Sequence, residues 1–255
     1  IGFIGTGVMG SGMIRNLQKA GYPVNINTRT KAKAEKLIQE GCRWFDSQAE
    51  LAAQSDVVMT MVGYPQDVEA VYFGDQGIFR GKQGGFVIDM TTSSPSLAKR
   101  IYTQAKKQGI EALDAPVSGG DIGARQGTLA IMAGGEEAAF EAMKPIFSAM
   151  GQTLTYFGPA GSGQYAKMSN QIAIASNMMG VCEAMAYAKK AALTLKKSSP
   201  PCPPEPPAPG PWRIWHRACY KAIRNQAFTS NTSSKTCASP SNRQKKWDWT
   251  CQDFA

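Results

Sequence analysis

The chain opens on an apolar run, Ile1-Gly2-Phe3-Ile4, followed at once by Gly5-Thr6-Gly7-Val8-Met9-Gly10 and an amphipathic stretch from Ser11 to Ala20. An apolar run closed by glycine reads as a strand buried on both faces, and the stretch after it reads as a helix stopped at Gly21, a C′ residue. Val24–Asn27 predicts a second strand. Asp56–Val62 and Phe86–Met90 predict two more, ending in Gly63-Tyr64-Pro65 and Thr91-Thr92-Ser93. Ile110–Ala112 leads into Asp114-Ala115-Pro116, and Thr128–Gly134 reads as a further strand. Helices are expected from about Glu136 to Met150 and over roughly 163–195. Strands separated by helix-length segments make βαβ units, so the fold class is α/β, with a Rossmann-type, doubly wound, mostly parallel sheet.

This patterning stops near Lys197. Residues 198–255 hold 9 of the 15 prolines, 4 of the 5 tryptophans, 4 of the 6 cysteines and the one histidine, His216. Neither a helical period nor strict alternation runs through them. Three segments are therefore expected: an α/β domain over 1–160, a long helix over 161–197, and a tail over 198–255.

Charge follows the same division. The formal net charge of +9 invites a nucleic-acid partner, but residues 1–195 carry 18 Lys+Arg against 16 Asp+Glu, whereas residues 196–255 carry 10 against 3. The patterned part is nearly neutral, which argues against nucleic acid there. No run of 18 apolar residues calls for a membrane span. Cys42 and Cys182 stand alone in apolar contexts, which points to reduced thiols and a cytoplasmic location. The tail cysteines lack any CxxC pair, so no metal site is expected. Because the chain begins directly on a core strand without Met, it reads as a fragment whose first residues are missing.

Gly5, Thr6, Gly7, Val8, Met9 and Gly10 form a GxGxxG turn between a strand and a helix, the context in which that spacing has a mechanism. Gly5 permits the tight turn, Gly7 lets a pyrophosphate approach the backbone, and Gly10 lets helix and strand pack closely. The helix N-terminus then offers free N–H groups to the phosphates. An NAD-preferring site presents an acid about twenty residues later. Here stand Asn27, Thr28, Arg29 and Thr30. Arg29 suits a 2′-phosphate, with Thr30 as a second donor, so NADP is favoured over NAD, although a solvated surface arginine would look the same. In an open parallel sheet ligands sit beyond the carboxyl ends of the strands, which places Val62, Thr91, Thr92 and the 114–120 loop there.

Two further runs complete the set: Asp114-Ala115-Pro116-Val117-Ser118-Gly119-Gly120, and Gly161-x-Gly163 followed by Lys167, Asn170 and Gln171. Together with the nucleotide loop and Asp121-Ile122-Gly123-Ala124, they resemble the β-hydroxyacid dehydrogenase family over residues 1 to about 195, most closely its 3-hydroxyisobutyrate dehydrogenase and tartronate semialdehyde reductase members. Ser118, Gly119 and Gly120 can converge on a carboxylate through a hydroxyl and successive backbone N–H groups. The resemblance implies that Lys167 is the proton donor and acceptor at the substrate oxygen, which requires burial to depress its pKa. Asn170 and Gln171 would orient the substrate, with Gln standing where many members carry a second Asn. Met168, Met178, Met179 and Met185 are expected in a core or a subunit interface.

In the family, the long helix opens an all-helical second domain, and intact members associate into homo-oligomers through it. The tail does not resemble that domain as written. Read one base out of frame, however, Lys246–Phe254 permits Met-Gly-Leu-Asp-Leu-Pro-Gly-Leu, and Cys202–Trp215 and Asn225–Pro240 likewise permit family-like text in the right order. The expectation is a reading-frame shift from about residue 198 that leaves the second domain uncompleted, the tail disordered and the long helix exposed on its apolar face. The function expected is NAD(P)-dependent interconversion of a small β-hydroxyacid and its semialdehyde. Tartronate, glyoxylate or succinic semialdehyde reduction is the alternative within the class, and a catalytically inactive dinucleotide-binding fragment is the alternative outside it.

Overall fold

The structure is a computed structural model and describes residues 1–191. The expected tail over 198–255 lies outside the described residues. Residues Ile1–Ala175 form one compact unit, and all the candidate site residues fall within it.

The chain alternates strand and helix as the pattern requires: β1 (Gly2–Ile4), α1 (Val8–Lys19), β2 (Asn25–Asn27), α2 (Glu35–Gln39), β3 (Arg43–Trp44), α3 (Gln48–Ala53) and β4 (Val57–Thr60). Then come α4 (Pro65–Phe73), α5 (Ile78–Gly81), β5 (Phe86–Asp89), α6 (Pro95–Lys107) and β6 (Glu111–Asp114). These strands are parallel neighbours in the order β3-β2-β1-β4-β5-β6. The order reverses between β1 and β4, and ligands of open α/β sheets bind at such a switch point. The chain continues through β7 (Val117–Ser118), α7 (Gly120–Gln126), β8 (Leu129–Gly135), α8 (Glu137–Met150), β9 (Gly151–Tyr156) and α9 (Ser162–Lys190). β8 joins β6 and β7 antiparallel and β9 parallel, so the sheet is mostly parallel, as expected.

The strands are covered on both faces. Successive residues point to opposite sides of a strand, and Phe3, Met59 and Ile88 join a buried cluster with Met13, Ile14 and Leu17 of α1. Ile4, Val58 and Val87 join the other, with Leu51, Tyr72, Leu97 and Ile101. A strand buried this way favours apolar residues on both faces, which is why β1, β4 and β5 stand out in the sequence, although β4 and β5 end on the buried polar residues Thr60 and Asp89. At the rim where the strands begin, Lys82 is buried and its Nζ donates to the Ser55 carbonyl at 2.6 Å.

The boundaries differ from expectation in instructive ways. α1 begins at Val8 rather than Ser11, so the second half of the glycine motif is already the first helical turn. β6 runs on to Asp114, because the parallel ladder pairs Asp89 with Asp114. α9 begins at Ser162, and Met168 and Met179 on it are exposed rather than in a core.

Candidate active site

The nucleotide loop is held by its own backbone. Gly5 has φ +103°, and its N–H donates to the Asn27 carbonyl at 2.9 Å. A Cβ at Gly10 would stand 2.0 Å from the Gly5 carbonyl oxygen, so the loop and the first turn of α1 close on each other. Ser11 Oγ donates to the Thr6 carbonyl at 2.8 Å. Gly7 differs from its neighbours. It has φ −68° and ψ −170°, which any residue adopts, and nothing lies within 4 Å of a Cβ placed there. Gly7 is the N-cap of α1 and offers no side chain, and no acid occupies the first turn, so the helix N-terminus keeps its donors and positive end for an anion. The Thr6 hydroxyl beside it is buried and has no hydrogen-bond partner among the described residues. The loop thus fits a dinucleotide phosphate, with Thr6, Gly7, Val8 and Met9 the residues that would hold it.

The loop that follows β2 and the first turn of α4 meet at an ion pair. Arg29 is exposed and its Nη1 meets Asp67 Oδ1 at 3.2 Å. Thr30 is exposed and caps a 3₁₀ turn over Lys31–Lys33. Asn27, expected to face the cofactor, is buried at the end of β2. Its Nδ2 donates to the Phe45 carbonyl at 2.9 Å, and its Oδ1 accepts from Gln48 Nε2 at 3.2 Å, so the side chain is engaged inside the protein.

The loops after β4 and β5 are stitched together. The Val62 N–H donates to Thr91 Oγ1 at 3.1 Å, and the Thr91 N–H donates to Asp89 Oδ1 at 3.1 Å. Thr91 is buried, whereas Thr92 is exposed at the rim. Asp89 also accepts from Thr60 Oγ1 at 2.8 Å. Its carboxyl is pushed up to about 6, chiefly because burial disfavours the charge, with the Asp114 charge adding in the same direction.

Beyond β6, Ser118 ends β7, and Gly119 (φ +132°) and Gly120 (φ +61°) turn the chain into α7. Asn170 is buried and its Nδ2 reaches Ser118 Oγ and Gln171 Oε1, each at 3.4 Å. Gln171 itself is exposed. Lys167 lies one turn before Asn170 on the same face of α9, only 6% exposed. Burial pulls its ammonium down to about 8, and among the described residues no neighbouring charge offsets the shift. Ser118, Asn170 and Gln171 are therefore joined directly, and Lys167 stands beside them on α9. The thiol of Cys42, by contrast, is buried and pushed up to about 11, which leaves it a poor nucleophile at neutral pH. Cys182 is exposed on α9.

Two residues assigned no role of their own from the sequence, Asp114 within its motif and Gln164, hold this arrangement. Asp114 Oδ1 accepts from the Gly161 N–H at 2.7 Å and Oδ2 from the Gln164 N–H at 2.8 Å, so a strand residue caps α9. Gln164 is fully buried. Its Nε2 donates to the Thr91 carbonyl at 2.7 Å, and its Oε1 accepts from the Ser93 N–H at 2.8 Å. Glutamine on a helix ordinarily signals solvent, so nothing in one sequence marks it. Among the described residues no three His, Cys, Asp or Glu side chains gather to hold a metal ion, and no helix is long and apolar enough to cross a membrane.

Residues 1–158 match the NAD binding domain of 6-phosphogluconate dehydrogenase. The chain belongs to that family. Relatives of this 6-phosphogluconate dehydrogenase-family chain are named as oxidoreductases. An uncharacterised oxidoreductase, YkwC of Bacillus subtilis (strain 168), is 60% identical over 194 residues, covering 76% of this chain and 67% of its own. The probable 3-hydroxyisobutyrate dehydrogenase-like protein 1, mitochondrial, of Arabidopsis thaliana is 50% identical over 77% of this chain and 59% of its own. The 2-hydroxy-3-oxopropionate reductase of Escherichia coli (strain K12) is 41% identical over 75% of this chain and 65% of its own. The matched stretch thus spans about three-fifths to two-thirds of the length of these curated relatives.

Among solved structures, the 3-hydroxyisobutyrate dehydrogenase of Mycobacterium tuberculosis with L-serine is 28% identical with a TM-score of 0.70, over 91% of this chain and 88% of that one. Psf3 in complex with NADP+ and 2-OPP is 27% identical with a TM-score of 0.75, over 88% of this chain and 78% of that one. The resemblance to β-hydroxyacid dehydrogenases drawn from the motifs is borne out. The family is one of NAD(P)-dependent oxidoreductases.

Proposed function

We propose that the chain carries the cofactor half and the proton-transfer helix of an enzyme that interconverts a small β-hydroxyacid and its semialdehyde. A buried lysine next to the Asn170–Ser118 contact carries this reading. A lysine kept from water, with no ion-pair partner among the described residues, costs stability, and such a cost is commonly borne where the group serves chemistry. Bound nicotinamide dinucleotide supplies or accepts the hydride. Lys167 then gives its proton to the carbonyl oxygen during reduction and takes it back during oxidation. Ser118 Oγ and the N–H groups of Gly119 and Gly120 hold the substrate carboxylate, and Asn170, steadied by Gln171, orients the reacting end.

Gly5–Gly10 cradle the pyrophosphate, and Val62 and Thr92 border the nicotinamide end. Arg29 with Thr30 favours NADP over NAD through the 2′-phosphate. The relatives named above support substrates of the 3-hydroxyisobutyrate and 2-hydroxy-3-oxopropionate kind. The isolated thiols support a cytoplasmic location, and homo-oligomers are the arrangement we assign to the intact protein.

A second reading has its own observation. The three curated relatives match over 192 to 199 residues of the 255. Residues from about 198 onward therefore fit the reading of a frame-shifted tail, and the chain as written fits an inactive dinucleotide-binding fragment. Turnover of 3-hydroxyisobutyrate and of tartronate, glyoxylate and succinic semialdehydes, measured beside NADPH and NADH fluorescence titrations, separates the two. Turnover that disappears in Lys167→Ala while cofactor affinity stays establishes the enzyme. Cofactor binding without turnover on any of the four establishes the fragment.

A further inference from the structure

We propose that Gln164 and Asp114 are positioning residues: they clamp the start of α9 to the Thr91–Ser93 loop and so set where Lys167 stands against the cofactor. The inference rests on the reading of Lys167 as the acid and base. Three residues at successive helical turns, Gln164, Lys167 and Asn170, are buried on one face of α9, while Tyr165, Met168 and Ser169 between them are exposed. The first of the three spends both ends of its amide on the backbone of a single loop, 71 and 73 residues away. That loop carries Thr91, which ties Val62, and Thr92 at the rim. The same helix start is held from below by the Asp114 carboxylate, which takes two N–H groups that α9 leaves free.

The joint has no slack. A Cβ at Gly163 would lie 2.4 Å from the Met132 carbonyl oxygen and 2.6 Å from that of Asp114. One at Gly134 would lie 2.7 Å from the Gly163 nitrogen and 2.8 Å from Asp114 Oδ1. With its entry wedged between β6 and β8, α9 cannot slide along its axis. Lys167 is three residues beyond Gln164, a rise of about 4.5 Å, so the clamp dictates its height. An apolar side chain at 164 would bury as well, without desolvating an amide. What the amide adds is direction, since its donor and acceptor fit one loop backbone in one orientation.

The experiment follows the Lys167 titration by 13C NMR in the full chain labelled at lysine Cε, with the signal assigned by its loss in Lys167→Arg. Gln164→Leu removes both bonds to the loop, and Leu17→Ala in α1 serves as a control matched for lost stability. A loosened helix start admits water to the ammonium, so Gln164→Leu should raise the midpoint by about one pH unit, a tenfold change in proton affinity, with Leu17→Ala leaving it in place. An unchanged midpoint in Gln164→Leu, or an equal rise in the control, overturns the proposal and leaves Gln164 a fold residue. If Gln164→Leu does not fold, Asp114→Asn carries the test, since Asn retains one of the two acceptor oxygens: a partial rise supports the clamp and no rise overturns it. A wild-type midpoint at the ordinary lysine value refutes the acid and base reading instead, so the two failures are distinct.

Discussion

Arg29 Nη1 lies 3.2 Å from Asp67 Oδ1, pairing the loop after β2 with the first turn of α4. The other oxygen of Asp67 accepts from the Tyr64 N–H at 3.1 Å. A 2′-phosphate on Arg29 would compete with Asp67 for the guanidinium. Asp67→Asn keeps an acceptor for Tyr64 and removes the charge. An exposed pair of this kind contributes about 0.2–1 kcal/mol, so NADPH affinity should rise roughly 1.5- to 5-fold while NADH affinity holds. Fluorescence titration with the two cofactors checks this, and equal changes in both would assign Asp67 to the helix alone.

Gly7 and Gly10 should respond oppositely to alanine. Gly7 has an ordinary backbone and open space, so Gly7→Ala should leave the melting temperature unchanged or raised by the equivalent of about 0.4–1 kcal/mol. The methyl would nonetheless stand where a pyrophosphate must approach, and NAD(P)H affinity should fall at least about tenfold. In Gly10→Ala the Cβ would press on the Gly5 carbonyl oxygen, so the fold itself should weaken. Calorimetry beside cofactor titration reads both.

The buried Lys167 gives the reaction a pH signature. In the role proposed for it, the protonated form serves reduction and is lost above about 8, while the neutral form that would serve oxidation grows through the same pH. Rates in the two directions should cross near there. The unfolded chain keeps this proton up to the ordinary lysine value of 10.5, so between about 8 and 10.5 the unfolded state binds more protons and stability rises with pH. Lys167→Met should lack that rise. After allowance for water reaching the ammonium, it should be more stable than wild type at pH 7 by about 1–3 kcal/mol in urea unfolding.

Asp89 has the opposite slope. Its carboxyl holds its proton to about 6, whereas the unfolded side chain releases it near 3.8. Between these values the native state binds more protons, so this group's contribution to stability falls as pH rises. Asn can accept the same bonds from Thr60 and Thr91 without the charge. Relative to wild type, Asp89→Asn should gain about 2–3 kcal/mol between pH 4 and pH 7. Urea midpoints at the two pH values decide it, and a constant difference would show that Asp89 does not carry the shift.

The parts of the fold legible in the sequence were those with a physical reason to be uniform. β1, β4 and β5 are sealed on both faces and read as apolar runs that turn polar only at Thr60 and Asp89, and the glycine turn after β1 left little choice but a helix behind it. β3 and β7 are two residues each, too short for any period. β9 has half-buried residues along much of its length and so shows no contrast between its faces. Of the candidate site, Ser118, Lys167 and Asn170 carried recognisable spacing, and the structure brings them near one another. The part played by Asp114 was hidden because its partners lie 47 and 50 residues away, a separation that periodicity cannot report. The internal bonds of Asn27 were hidden for a related reason. Its partners Phe45 and Gln48 lie 18 and 21 residues along the chain.

Lys82 and Lys167 are both buried lysines, yet they lie toward opposite ends of the strands. The first ties Ser55 where β4 and β5 begin, and the second stands beyond the ends where cofactor and substrate are proposed to meet. β5 is four residues long, so its two rims are about 13 Å apart. Selection for durability and selection for chemistry can therefore act on different ends of the same strands. Engineers seeking a sturdier variant have one rim to rewrite, while the other stays as inherited.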